Sequence, residues 1–244
     1  MTVCFVRGES GADTSLRLDL QRPGFNMTTD FHHLAIRQSA LSVTQLAEQQ
    51  AKLSGPAGLF AKLCRQLRSH GRQSPLLEDV ARLEGRKRQW LAERAVQFVL
   101  SLHGRRPEVE NPFKGRVRED LCCIVFDDSS PHTLVERYAA SEALRAQDSE
   151  YFVKLIATTR NTVERRIVFH GLLEHFDRLL PIEKSIYPLN YRNVQQAHLD
   201  HEEALYGALI MQQPIGTLLE IHTPEWLLNN LPSFELSIDR ECVG

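Results

Sequence analysis

The chain has 244 residues, of which 42% are hydrophobic, 25% charged and 7% aromatic, enough to bury a sizeable core and unlike a disordered or fibrous composition. Its formal net charge of −2 conceals a split: residues 62–118 carry 14 Lys/Arg against 6 Asp/Glu, and residues 119–244 carry 10 against 20. Fields of this kind bear on partners rather than on fold and point to a polyanion for the first stretch, while the absence of an apolar run of roughly 18 residues and of a basic-then-apolar leader points to a cytoplasmic chain with no membrane partner.

Residues 1–28 read as an arm or hairpin, with short strand-like pieces at residues 3–6 and 16–20 separated by Gly, Ser and Asp. From residue 29 the pattern turns helical. A first helix is expected over residues 29–53, ended by Ser54-Gly55-Pro56, and a second over residues 57–70, ended by Gly71. A third, long helix starts after Ser74-Pro75, with Leu76, Val80, Leu83, Trp90 or Leu91, Ala95, Phe98 and Leu102 recurring at helical spacing. Residues 103–118 hold two prolines, two glycines and many charges without periodicity, and read as a linker or exposed loop.

The run LCCIVF at residues 121–126 suits a buried strand or a short helix equally. Ser130-Pro131 opens a helix, Asp148 a further one to about residue 159, and Asn161 or Thr162 a third that Pro181 stops. The last long helix covers residues 192–212, a short one covers 225–230, and residues 234–238 alternate like an edge strand. The expected fold is mainly α: a helical bundle, or two helical subdomains divided into a basic region 29–118 and an acidic region 119–244, with short peripheral strands near both termini.

Cys4, Cys64, Cys122, Cys123 and Cys242 are odd in number, lack CxxC spacing and include an adjacent pair that rarely suits a bridge; reduced thiols are expected. No Gly-rich phosphate loop, G-x-S-x-G elbow or H-E-x-x-H is present. No catalytic residue, metal ligand or cofactor is therefore assigned, and no enzyme is expected.

Two constellations remain. Lys62, Arg65, Arg68, Arg72, Arg82, Arg86, Lys87 and Arg88 supply the cations that phosphate binding requires, and residues 46–67 allow a helix-turn-helix with the helix from Ala57 as reader, although its turn is longer than usual and no β-wing follows. Solvated amphipathic helices of a bundle are the alternative. On the last long helix, Val194, His198, His201, Leu205 and Leu209 fall on one stripe, which directs both imidazoles inward with the apolar side chains. His170 and Glu174 lie opposite the Val168, Leu172, Phe176 and Leu179 stripe of their own helix and read as surface residues.

Three His/Glu pairs four residues apart (His132/Glu136, His170/Glu174, His198/Glu202) and two Arg/His spacings (Arg192 with His198, Arg165 with His170) leave a metal-dependent helical enzyme or a HEPN-like ribonuclease as less favoured readings. The segment Asp148-Ser-Glu-Tyr-Phe152, then Asn161, His201 within HLDHEEALYGAL, His222 and Asn-Leu-Pro at 230–232 resembles the all-helical effector domain of GntR/FadR-type transcription regulators over residues 131–232. The resemblance implies a ligand site at Asp148, Phe152, His201 and His222, and the i, i+3 spacing of His198 and His201, which lets both imidazoles bond one ligand, adds His198 to it. Phe152 stands where metal-binding members carry His, so Asp148, His201 and His222 form an incomplete metal set and an organic ligand is implied. The N-terminal half departs from the family and lacks its winged-helix signature.

The function expected from sequence is a DNA-binding transcriptional regulator acting on double-stranded DNA. Its C-terminal helical region would form a homodimer or sense a small-molecule or protein ligand. A non-enzymatic protein-protein adaptor is the alternative.

Overall fold

The computed structural model describes residues 27–102, 104, 108–158, 165–211 and 213–230. The architecture is helical, and no β-strand occurs among the described residues; the strand-like stretches near the termini lie outside them. Where one first helix was expected there are two, α1 (Met27–Ser39) and α2 (Val43–Ser54). Ser42 makes the break. Its Oγ accepts from the Gln45 amide (3.2 Å) while Gln45 Oε1 accepts from the Ser42 amide (2.9 Å), a capping box that starts a new helix.

The second helix is α3 (Leu59–His70). The expected long third helix is divided: single 3₁₀ turns at Gly71–Gln73 and Pro75–Leu77 lead into the short α4 (Glu78–Ala81), and α5 (Arg86–Leu102) begins only after Gly85. Gly85 has φ 86°, a left-handed backbone that glycine adopts without strain and that a continuous helix does not contain.

Residues 108–117 are loop, but not a detached linker. Phe113 is fully buried, and Asn111 Nδ2 donates to the Ala139 carbonyl at 2.8 Å. LCCIVF resolves as helix: α6 (Arg118–Phe126) has five consecutive buried residues, Leu121, Cys122, Cys123, Ile124 and Val125, and both α1 and α7 pack against it.

α7 (Leu134–Ala157) is one helix of 24 residues where two were expected. Thr133 caps it with Glu136 in a capping box. Asp148 sits mid-helix because its carboxylate is held by side chains, Arg118 and His175, instead of capping a backbone amide. α8 (Arg165–Arg178), the short α9 (Pro181–Lys184), α10 (Tyr191–Tyr206), α11 (Ile215–Ile221) and α12 (Pro224–Asn230) complete the described chain.

There are two apolar clusters, and α7 is the spine that joins them. Its first half contributes Val135, Ala139, Ala140 and Leu144 to a large core with α1 to α6 and α9, so residues from both sides of position 118 share one interior. Its second half contributes Tyr151, Phe152 and Leu155 to a smaller cluster with Ile167, Ile215, Leu219 and Leu227. There α7 and α8 approach closely at Gly171: a Cβ on Gly171 would lie 2.5 Å from a Leu155 methyl, and Tyr151 Oη donates to the Gly171 carbonyl at 2.9 Å. An alanine at 171 would have to displace a fully buried leucine.

Candidate nucleic-acid interface and interhelical cavity

The eight cations singled out from sequence divide into two groups. Arg72 forms a bidentate pair with Glu93 (2.5 Å on each arm), Arg82 an exposed i, i+4 pair with Glu78 (3.0 Å), and Arg88 a bidentate pair with the fully buried Glu136 (2.6 and 2.9 Å) plus a bond to the Pro131 carbonyl. Of these three, Arg88 is engaged inside the fold, whereas Arg72 is half exposed and the Arg82–Glu78 pair stays on the surface. Lys62, Arg65 and Arg68 are exposed on α3, whose inner face is Phe60, Leu63 and Leu67, and Arg86 and Lys87 are exposed at the start of α5. Arg65 holds the turn before α3 through the Pro56 carbonyl (3.2 Å).

Between the 3₁₀ turns and α4 on one side and α5 on the other lies an open groove of about 540 Å³, lined by Arg72, Leu77, Val80, Ala81, Arg86, Gln89, Trp90, Glu93 and Val96. Trp90 is 64% exposed. Of the two residues offered for the apolar stripe, Leu91 turns toward the core and Trp90 to solvent. An indole beside Arg86 and Gln89 is a surface on which a base can stack while cations meet phosphate. Sequence periodicity gave no signal for it, since a tryptophan next to a leucine fits the stripe as well as the leucine does.

In the C-terminal half the histidine pair is a correction. His198 and His201 are exposed, as are Val194 (39%) and Leu205 (50%); the side chains that α10 buries are Leu199 and Glu202. α8 is the neighbour that decides this. Glu202 receives Arg165 at 3.3 Å, Glu203 meets His170 Nε2 at 3.3 Å, and buried Arg166 donates to the Tyr206 and Gly207 carbonyls that end α10. Polar partners therefore turn α10 by its Leu199 edge, leaving the Val194-His198-His201-Leu205 stripe outward, with His198 stacked on Phe169 at 5.3 Å.

His170 and Glu174, read as surface residues, are half-buried partners. Glu174 accepts from the amides of Ile215 (2.9 Å) and Gly216 (3.1 Å), which satisfies the N-terminus of α11. Arg192 is held by Asp177. His222 stacks on Trp226 at 3.6 Å. Asp148, His201 and His222 thus have separate neighbours, and among the described residues no three His, Cys, Asp or Glu side chains are placed to hold a metal ion. Asn161 and residues 231–232 lie outside the described residues.

Asp148 and Phe152 do come together, on a residue that was not singled out. His175 of α8 places Nε2 3.1 Å from Asp148 Oδ1, with its ring 4.6 Å from Phe152 and stacked on Tyr151 at 5.6 Å. Its position was legible in principle: at three residues past Leu172 it falls on the apolar stripe of α8. Arg118 of α6 completes the cluster, donating to Asp148 Oδ1 at 2.5 Å and to Glu183 Oε1 of α9. Glu183 Oε2 accepts from the Leu180 amide at 2.9 Å and lies 3.7 Å from the Cys122 thiol.

Burial raises the Glu183 pKa above the ordinary carboxylate value despite the opposing Arg118 charge. Burial, reinforced by Glu183, pushes the Cys122 thiol well up. For Arg118 burial acts downward, but Glu183 and Asp148 outweigh it and the guanidinium is held in its charged form. Cys64, Cys122 and Cys123 are free thiols.

A cavity of about 430 Å³ opens beside this cluster, walled by α2, α3, α6, α7, α8 and the residues around α9; Asp148, His175 and Glu183 stand on its polar side, and Phe60, Phe126, Leu144 and Leu179 on its apolar side. No protein-family model, no curated protein and no solved structure matches the chain. None of the described helices is long and apolar enough to cross a membrane.

Proposed function

We propose that this protein is a DNA-binding regulator that uses the outward face of α3 and the start of α5. Lys62, Arg65, Arg86 and Lys87 meet phosphate, and Trp90 lies against a base. The observation that carries the reading is Trp90: an indole 64% exposed in a groove shared with Arg86 and Gln89, within the segment of greatest positive charge. A large aromatic in solvent gains nothing for the fold, and an aromatic flanked by cations is the arrangement that stacks on bases. The resemblance of residues 131–232 to regulator effector domains accords with it. Arg72, Arg82 and Arg88, already paired with carboxylates, are left out of the contact set.

In this reading the protein acts as a homodimer through α10. Its outward stripe reads Val194, His198, His201, Leu205 and is nearly symmetric about its midpoint, so two copies of α10 laid antiparallel place Val194 against Leu205 and histidine against histidine, a self-complementary two-fold contact. Leu205→Glu is expected to leave a monomer by sedimentation at a concentration where the wild type is a dimer.

The direct test of the groove is Trp90 fluorescence in a Trp226→Phe background, titrated with a duplex and with one strand of the same sequence at low salt. Quenching that saturates together with binding is expected, and it is expected to be stronger with the single strand if the contacted base must leave its stack. Binding of either form without any change in Trp90 emission would remove the stacking role.

A further inference from the structure

The interhelical cavity is lined by two acceptor oxygens that no donor among the described residues engages. Its lining carries the Asp148 and Glu183 carboxylates and the Arg145 guanidinium, and Arg118 bonds both carboxylates from α6. The two oxygens of Glu183 are both engaged, by Arg118, by the Leu180 amide and by the Cys122 thiol. Asp148 is different. Arg118 and His175 both bond its Oδ1, and Oδ2 makes no hydrogen bond within the described residues.

Gln50 of α2 also lines the cavity, and its Oε1 is buried with no donor. Such an orphaned acceptor is uncommon in folded proteins and marks a place where a donor belongs. The intervening wall carries aromatic rings, among them Phe60, Tyr138 and Tyr187. An anionic acceptor, a neutral acceptor and aromatic walls around about 430 Å³ describe the complement of a cation that also donates a second hydrogen bond and has an apolar body.

We infer that this cavity binds a small organic ammonium, its charged nitrogen on Asp148 Oδ2, its hydrocarbon or aryl body against Phe60 and Tyr138, and a second donor on Gln50 Oε1. The ligand would be a primary or secondary amine carrying a hydroxyl or amide N–H. A carboxylate of the same shape would meet the Asp148 carboxylate where the ammonium is placed and is expected to bind more weakly. The inference does not rest on nucleic-acid binding: no residue of the groove that holds Trp90 takes part. Because helices from both sides of position 118 wall the cavity, occupancy would tie the basic and acidic regions together.

The test uses tyramine as probe and 3-(4-hydroxyphenyl)propionate, the same body with a carboxylate, as its counterpart, with isothermal titration on the full chain. Saturable one-to-one binding of tyramine and at least tenfold weaker binding of the propionate are expected. Gln50→Leu, which touches no ion pair, should weaken tyramine about fivefold to tenfold while leaving the melting temperature within a degree or two of wild type. Asp148→Asn should weaken it by more than tenfold; because that change also loosens Arg118, the Gln50 variant carries the decision if Asp148→Asn fails to fold. The inference is overturned if tyramine does not bind, if the propionate binds equally well, or if binding is indifferent to Gln50→Leu.

Discussion

Arg86, Lys87 and Arg88 follow one another at the start of α5, yet the structure uses them in opposite ways. Arg88 reaches across to the buried Glu136 of α7 and closes the capping box around Thr133; its two neighbours stand in solvent. The same contrast holds on a larger scale. Arg37, Arg88 and Arg118 bridge to Asp127, Glu136, Asp148 and Glu183 across the boundary near residue 118, whereas Lys62, Arg65, Arg86 and Lys87 cover the outer face. Part of the charge split along the chain is therefore neutralised within the molecule, and only the remainder stands in solvent. Position relative to a buried carboxylate, not residue type, decides which.

The largest effects should come from the inner set. Removing Arg118 by Arg118→Ala strands Asp148 and Glu183 together, and Arg88→Ala strands a fully buried Glu136; each is expected to cost about 3–5 kcal/mol in chemical denaturation. Arg86→Gln with Lys87→Gln should stay within about 0.5 kcal/mol. If the paired and unpaired cations proved equally costly, the division between them would be lost.

A smaller effect is expected at Glu174, whose carboxylate satisfies the Ile215 and Gly216 amides. Glu174→Ala should lower stability by about 1 kcal/mol, with hydrogen-exchange protection falling in α11 before the rest of the protein. Uniform loss of protection would mean that the cap is not a local support.

The turning of α10 is sharpened by the two histidines that sequence ranked the other way. His170→Ala loses a half-buried partner of Glu203 and should cost about 0.5–1.5 kcal/mol, while His201→Ala on the open face should fall within about 0.5 kcal/mol at concentrations where the chain is monomeric. A larger cost at His201 in the monomer would restore the inward stripe.

These reversals show what a sequence carries and what it leaves out. Helix ends set by local chemistry were legible: the stops at Gly55, Gly71 and Pro181 depend on a close backbone approach, a left-handed backbone and a missing amide, each within a few residues. The helical character was legible for the same reason. Asp148 misled as a cap because its true partners, Arg118 and His175, lie 30 and 27 residues away, and nothing local distinguishes a capping carboxylate from a bridging one. Asp148 and Phe152 were found through a resemblance rather than through geometry, and His175 was passed over because an imidazole on an apolar stripe has no local mark of a function. The choice between Trp90 and Leu91 stayed open and the stripe of α10 was misplaced because periodicity names a face without saying what covers it.

The smallest effect concerns pH. Burial, aided by Asp30, Asp127 and Asp120, pushes the Cys123 thiol from 9.0 up to about 11. The folded chain keeps a proton there that the unfolded chain has released, so Cys123 makes stability fall as pH rises between these two values. Cys123→Ala should flatten the drop in melting temperature across that window; an unchanged slope would mean the thiol titrates no differently in the two states.

The measurement that bears most directly on the division between inner and outer cations is the dependence of duplex-DNA affinity on salt for the wild type, for Lys62→Gln with Arg65→Gln, and for Arg86→Gln with Lys87→Gln, all confirmed folded by their melting curves. The expected result is a linear fall of log K with log salt, flattened by roughly two units in each double variant as two phosphate contacts are lost. No binding at low salt, or slopes that neither double variant changes, would contradict the assignment of the outer cations to DNA.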